Sequence, residues 1–159
     1  MELKPQVMLE DLPRLREALE SSEVEEGTLL LIGRRELRSN NSWMHNVPRL
    51  VSGQPRCVLR MHPDDARERQ LDDDAQVRVQ SRVGEVEVTL RVDDDIMPGV
   101  VSLPHGYGHA GREGTRLSVA SSLPGASAND LTDDAAVDEA SGNAVLNGVP
   151  VRVSRVLAG

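Results

Sequence analysis

Apolar positions along the chain fall into short runs of period two, broken by polar stretches rich in Gly, Pro, Asn and Asp. "TLLLIG" (28–33) is a β-rich apolar run ending in Gly, and "RCVLRM" (56–61) is a second. "AQVRVQSRVGEVEVTLRV" (75–92) alternates on both sides of "SRVGE", with Val77 and Val79, then Val86, Val88, Leu90 and Val92, in phase. That pattern predicts a hairpin. "DDDIMPGVVSLPHG" (93–106) reads as a turn, a short apolar strand and a Pro-Gly loop, and "GVPVRVSRVL" (148–157) as a closing strand. Two segments have helical spacing instead. Leu12, Leu15 and Leu19 share one face of a helix over 11–20, with Asp11 as N-cap and Pro13 in its first turn. In "HPDDARERQL" (62–71), His62 sits at the cap and Pro63 at the first helical position, with acids in the first turn. About six strands and two short helices predict a mainly β domain, a small barrel or sandwich. Residues 1–26 read as a lead-in helix and linker, and residues 27–159 as the domain. The stretch 105–148 is too long to be idle in a compact domain, so it is either functional or disordered.

Composition sharpens this picture. With no Phe, one Trp and one Tyr in 159 residues, the core must be aliphatic. The net charge of −8 repels phosphate polymers and argues against nucleic acid as the main partner. The charge is uneven, however. Residues 33–60 carry six arginines against a single acid, Glu36, and a local basic surface suits a small anionic ligand. A lone cysteine, Cys57, excludes an internal disulfide, and no apolar run is long enough to span a membrane. The charged N-terminus lacks the apolar stretch of a signal peptide. A cytoplasmic protein with no membrane partner is the expectation.

Three loops carry candidate chemistry. In "GRRELRSNNSWMHN" (33–46), Arg34, Arg35 and Arg38 offer guanidinium groups to a phosphate, and Ser39, Asn40, Asn41, Ser42 and Asn46 offer donors and acceptors. Taken alone, this is equally a solvated loop with one anchoring Trp. Trp43 either stacks on a flat ring or braces the loop from below, and the brace is expected. Without ligand the loop is expected to be mobile. In "SLPHGYGHA" (102–110), His105 and His109 have an i, i+4 spacing, but Gly106 and Gly108 argue against the helix that a metal pair needs. Those glycines point either to backbone brought close to a ligand or to a simple turn. "NDLTD" (129–133) and "DEASGNA" (138–144) either read a heterocyclic base or form Asx and capping turns. Neither a catalytic triad nor a phosphate-binding glycine motif is present.

The ordered series is more specific than any one motif. "LIGRRELRSNNSWMHN", "RMHPDDARERQL", "VRVQSRVGEVEVTLRVDDDIMPGVVSLPHGYGH", "NDLTD" and "DEASG…NGVPVRV" follow one another through residues 28–157. This series resembles the C-terminal molybdopterin-dinucleotide-binding domain of the dimethyl sulfoxide reductase family, which includes formate dehydrogenases and nitrate reductases. The resemblance implies a six-stranded double-psi β-barrel whose loops hold molybdopterin guanine dinucleotide. Carried over, the cofactor-binding positions are Gly33 and Arg34, then Arg38, Ser39, Asn40, Asn41 and Ser42, with His45 further along. The next loop supplies His105, Tyr107, Gly108 and His109, and the last supplies Asn129 and Thr132. In "DEASG", Glu139 stands where the family usually has Pro, which weakens Asp138 as a site residue. In such enzymes the ligand to Mo or W and the iron–sulfur cysteines come from other domains. The chain is therefore expected not to catalyse alone, and its expected partners are the remaining domains of a parent oxidoreductase. The leading helix, which has no barrel role, is expected to be the tail of a connection from one of them. The alternative is a double-psi interaction module that grips a protein partner with loop 34–56.

Overall fold

The computed structural model describes residues 5–20, 25–110 and 117–156. Six strands close into one barrel: β1 (Leu29–Arg34), β2 (Val58–Met61), β3 (Gln76–Gln80), β4 (Glu85–Val92), β5 (Val100–Pro104) and β6 (Val149–Arg155). Around the ring the order is β1-β5-β2-β4-β3-β6. β1 runs parallel to β5, and β2 runs parallel to β4. The other four pairings are antiparallel. This closed mixed barrel is the double-psi architecture that the motif series implies.

Alternation explains why these residues make a barrel. Val77 and Val79 in β3, Val86, Val88 and Leu90 in β4, and Val149, Val151 and Val153 in β6 all point inward. The residues between them face water, as a period-two strand with one buried face requires. Leu59, Met61, Leu90, Val101 and Leu103 are fully buried at the centre. The core is aliphatic, and Tyr107 packs only at its edge.

Helix α4 (Pro63–Glu68) forms as its cap predicts, with His62 Nδ1 accepting from the Asp64 N–H at 3.1 Å. Buried Asp65 turns inward and accepts from the Gly99 N–H at 2.8 Å, tying the helix to the turn before β5. Two short helices lie outside what the apolar pattern predicts: α1 (Gln6–Glu10) and α3 (Pro48–Val51). Helix α2 (Leu12–Glu20) forms, but Leu12, Leu15 and Leu19 stay exposed. The Asp11 carboxylate pairs with Arg14, and its carbonyl accepts from the Leu15 N–H at 3.1 Å. Parts of the lead-in (1–4, 21–24), of the long loop (111–116) and of the C-terminus (157–159) lie outside the described residues.

Candidate functional site

Parallel pairing puts the ends of β1 and β5 side by side, with Arg34 opposite Pro104. The two loops that leave these strands therefore start together. His105 N–H donates to the Arg34 carbonyl at 3.0 Å and continues the contact beyond the sheet. A third segment, 125–132, closes the same end of the barrel. The glycines show how tightly these pieces meet. A Cβ on Gly33 would fall 2.0 Å from His105 Nε2, and one on Gly106 would fall 2.3 Å from the Asn41 carbonyl oxygen. A Cβ on Gly108 would fall 2.6 Å from the Ser127 nitrogen. Gly106 and Gly108 also have φ of +85° and +87°, a conformation that side chains disfavour. The space left open at these glycines is filled by the protein's own groups. These glycines therefore lock loop to loop, and the reading that they bring backbone up to a ligand is replaced.

Arg34 also takes a different position from an anion grip. Its side chain turns under the loop and donates to the carbonyls of Ser102 (2.7 Å), Val58 (2.9 Å) and Arg56 (3.2 Å), and to Glu36 (3.1 Å). Burial pushes its guanidinium below the usual arginine value, and Glu36 opposes the shift. Four of its five N–H groups are spent on the protein, so it braces three strand ends. Arg38 is the contrasting case. It is exposed, and no hydrogen bond or ion pair occupies it among the described residues.

Loop 37–46 is a run of tight turns. Ser39 is buried, and its hydroxyl donates to the Glu36 carbonyl at 3.0 Å. Asn40 and Asn41 take left-handed φ of 44° and 62°, which Asn tolerates better than most residues. Asn41 Oδ1 accepts from Arg35 at 3.0 Å. Asn46 Oδ1 accepts from the N–H groups of Val119 (3.0 Å) and Ala120 (3.2 Å) and starts the 3-10 turn Ala120–Ser122. Trp43 is 81% exposed, so the expected brace beneath the loop is not there. The brace is Arg34.

His45 lies where Trp43 was expected. It is 1% exposed, sits 4.4 Å from the Tyr107 ring, and its Nδ1 lies 2.8 Å from His109 Nε2. Its other nitrogen, Nε2, is buried and has no hydrogen-bond partner. Burial pushes its pKa below the ordinary histidine value, His109 adds to that, and the Gly106 carbonyl opposes both. His45 lines a cleft of about 240 Å³ together with Arg38, Ser39, Arg56 and Tyr107, closed on one side by Leu123 and Pro124. A separate small notch gathers Gly33, His105, Asn129 and Thr132. The structure thus brings the predicted loops to one end of the barrel but divides them between two depressions. "DEASG" stands apart: Asp138 accepts from the Ser141 N–H (2.8 Å) and hydroxyl (2.6 Å), forming the Asx turn of the plainer reading.

A larger groove of about 660 Å³ lies elsewhere, along β1, β6 and the β3–β4 turn. Its charged rim is already paired, Arg82 with Asp133 and Arg152 with Glu25, so it presents an apolar floor and no free ligand-binding charge.

Residues 29–150 match the family model described as "Molydopterin dinucleotide binding domain". The chain belongs to that family, and the group such a domain holds is molybdopterin guanine dinucleotide. It is 28% identical over 127 residues to a tetrathionate reductase chain of Salmonella typhimurium, covering 69% of this chain and 12% of that protein. Acetylene hydratase from Pelobacter acetylenicus superposes with a TM-score of 0.65 at 21% identity, covering 92% of this chain and 20% of that one. The chain thus spans about one eighth to one fifth of the length of these relatives.

The residues present fit such a group. The dinucleotide carries a diphosphate and many hydrogen-bonding atoms. The cleft offers a buried ring nitrogen with no partner, an arginine without a described counter-ion, and the Tyr107 ring. No helix among the described residues is long and apolar enough to cross a membrane.

Proposed function

We propose that the chain is the dinucleotide-holding domain of a larger molybdenum or tungsten oxidoreductase and positions the cofactor through the loops at the β1/β5 end. The observation that carries this is the convergence of loops 33–46 and 105–109, through glycine-locked contacts, onto a cleft with an unpartnered buried nitrogen, with segment 125–132 packed on Gly108 and lining the adjacent notch. Arg38 gives charge to the diphosphate, and Ser42, Asn129, Thr132, His105 and Tyr107 give hydrogen-bonding edges. Gly33, Arg34, Ser39, Asn40, Gly108 and most of Asn41 act one step back, by shaping the loops. When bound, the cofactor supplies the metal-centred redox chemistry. This chain's residues bind it, orient it and exclude water from it.

Other domains of the parent protein supply the metal ligand and form the partner surface. Exposed Leu37, Trp43, Met44 and Val47 beside the site, and exposed Leu12 and Leu15 of α2, support that arrangement. A cytoplasmic location is proposed from the single buried thiol, which needs no oxidising compartment.

Titration with guanosine diphosphate, followed by amide NMR, tests the site. Shifts are expected within 33–46, 105–109 and 129–132. Shifts confined to the groove along β1 and β6, or to the N-terminal helices, would overturn the assignment.

A further inference from the structure

A reactive dipeptide sits where β6 begins. Of the six asparagines in the chain, only Asn147 is followed by glycine. In such a pair the glycine nitrogen can attack the side-chain amide carbon, because no Cβ shields it. Asn147 and Gly148 are both exposed, and nothing lies within 4 Å of where a Gly148 Cβ would stand. The β1–β6 ladder ends at the Leu31–Val149 pair. Beyond it, the Gly148 N–H donates to the Leu31 carbonyl at 2.8 Å. The Gly33 N–H donates to Asn147 Oδ1, also at 2.8 Å. The attacking nitrogen and the amide under attack are thus both held by β1. Gly33, which makes this clasp, is also the first residue of loop 33–46.

We propose that Asn147–Gly148 is a self-modification site, at which the Gly148 nitrogen closes on the Asn147 side chain whenever this end of the β1–β6 seam opens, and that the isoaspartate formed releases the clasp on Gly33.

The chemistry needs no co-reactant except water. The Gly148 nitrogen loses its proton and bonds to Asn147 Cγ. The Cγ–Nδ2 bond breaks, and Nδ2 takes up a proton and leaves as ammonia. Water then opens the cyclic imide at either carbonyl, giving aspartate or isoaspartate. The clasp has two opposed effects on this step. The Gly33 N–H favours it by stabilising negative charge that grows on Oδ1. The Leu31 carbonyl opposes it, because a hydrogen bond to the protonated nitrogen disfavours loss of that proton. The second effect wins, since attack cannot begin until the proton leaves. Modification therefore waits for the strand end to open, and local openings of this kind cost far less than global unfolding. The two products differ. Aspartate keeps an acceptor for the Gly33 N–H and adds a negative charge. Isoaspartate routes the main chain through the former side-chain carbon, so an extra methylene precedes β6. The two bonds to β1 then no longer match the spacing of Leu31 and Gly33.

The test incubates the full 159-residue chain at mildly alkaline pH, once folded and once in guanidinium chloride, and locates the acid product by peptide mass mapping. Amide hydrogen exchange at Gly148 measures the opening separately. Asn147 should convert before the other five asparagines. The folded chain should react at least about tenfold more slowly than the denatured one, and the ratio of the two rates should match the Gly148 opening constant within about threefold. Equal rates in the two states overturn the hold of β1. Folded conversion far below the opening constant, or first at another asparagine, overturns the site.

The purified isoaspartate form tests the clasp. Exchange at the Gly33 amide should rise at least about tenfold, while the amides of β3 and β4 stay as protected as before. Unchanged Gly33 exchange overturns the release. Asn147→Asp supplies the new charge without the extra methylene, so its Gly33 amide should remain protected. Loss of that protection in Asn147→Asp overturns the assignment of the release to the lengthened main chain.

Discussion

At the scale of single residues, Arg34 and Trp43 exchange the roles that their chemistry advertises. An arginine after a strand looks like a phosphate grip, yet Arg34 spends its donors on Ser102, Arg56 and Val58 carbonyls and on Glu36. Arg34→Lys keeps the charge but cannot reproduce the planar fork, so it should lower unfolding free energy by about 2 kcal/mol with no ligand present. Denaturant melting measures this, and a loss within about 0.5 kcal/mol, the range for ordinary surface changes, would return Arg34 to the ligand side. Trp43 is the opposite case. At 81% exposure its substitution by Ser should change stability by less than about 0.5 kcal/mol, and its fluorescence should be freely quenched by acrylamide in the isolated chain. Sequence alone could not separate these two, since burial of a side chain depends on where the neighbouring strand ends fall. His45 shows the same limit. Nothing around it in the chain marks it as buried, and His109, its partner, lies 64 residues on.

The strands were legible because alternation is a local signal. Every predicted strand from "TLLLIG" to "GVPVRVSRVL" forms within about two residues of its expected bounds, the usual error at element ends. Helix α4 was equally legible from His62, Pro63 and the two acids. Helices α1 and α3 were not, being one turn each and lacking a periodic face to read. The loops near the site were legible as polar but not as packed against one another, because contacts such as Gly106 on Asn41 join distant parts of the chain. The segment 129–133 gives a test at this scale. It is held against the β3–β4 turn by the short ion pair of Arg82 with Asp133, and by Gly84, whose missing Cβ would sit 2.3 Å from the Asp130 carbonyl oxygen. The Arg82 hydrogen bond holds the Asp133 carboxyl down at about 2. Its folded value is depressed, so the pair's contribution is present above the unfolded Asp value of about 3.9 and is lost as pH falls toward 2. Arg82→Ala should return the Asp133 carboxyl most of the way to the unfolded value in a carbon NMR titration. It should also speed amide exchange at Asp130 and Thr132 while leaving the strands protected. An unmoved Asp133 titration would mean that the ion pair does not hold this segment in solution.

Across the whole molecule, the net charge of −8 and the basic loop act on an anionic ligand over different distances. Of the six arginines of residues 33–60, Arg38 and Arg56 line the cleft, whereas Arg60 pairs with Asp93 at 3.2 Å and the aspartate runs 72–74 and 93–95 lie in turns away from the cleft. Charges beyond a Debye length are largely screened, and that length shrinks from about 30 Å at 0.01 M salt to about 10 Å at 0.1 M and about 3 Å at 1 M. At the lowest salt, a diphosphate approaching the cleft feels the acidic body as well as Arg38. At intermediate salt the distant acids are screened first, and the local attraction remains. At the highest salt even contacts at the cleft mouth weaken. Guanosine diphosphate affinity should therefore pass through a maximum near about 0.1 M salt, instead of falling steadily as it does for a uniformly basic phosphate-binding surface. Calorimetric titration at the three salt levels measures this. A steady fall from the lowest level would mean that the arginine-rich loop dominates at every distance, and a steady rise would place the bound anion away from Arg38.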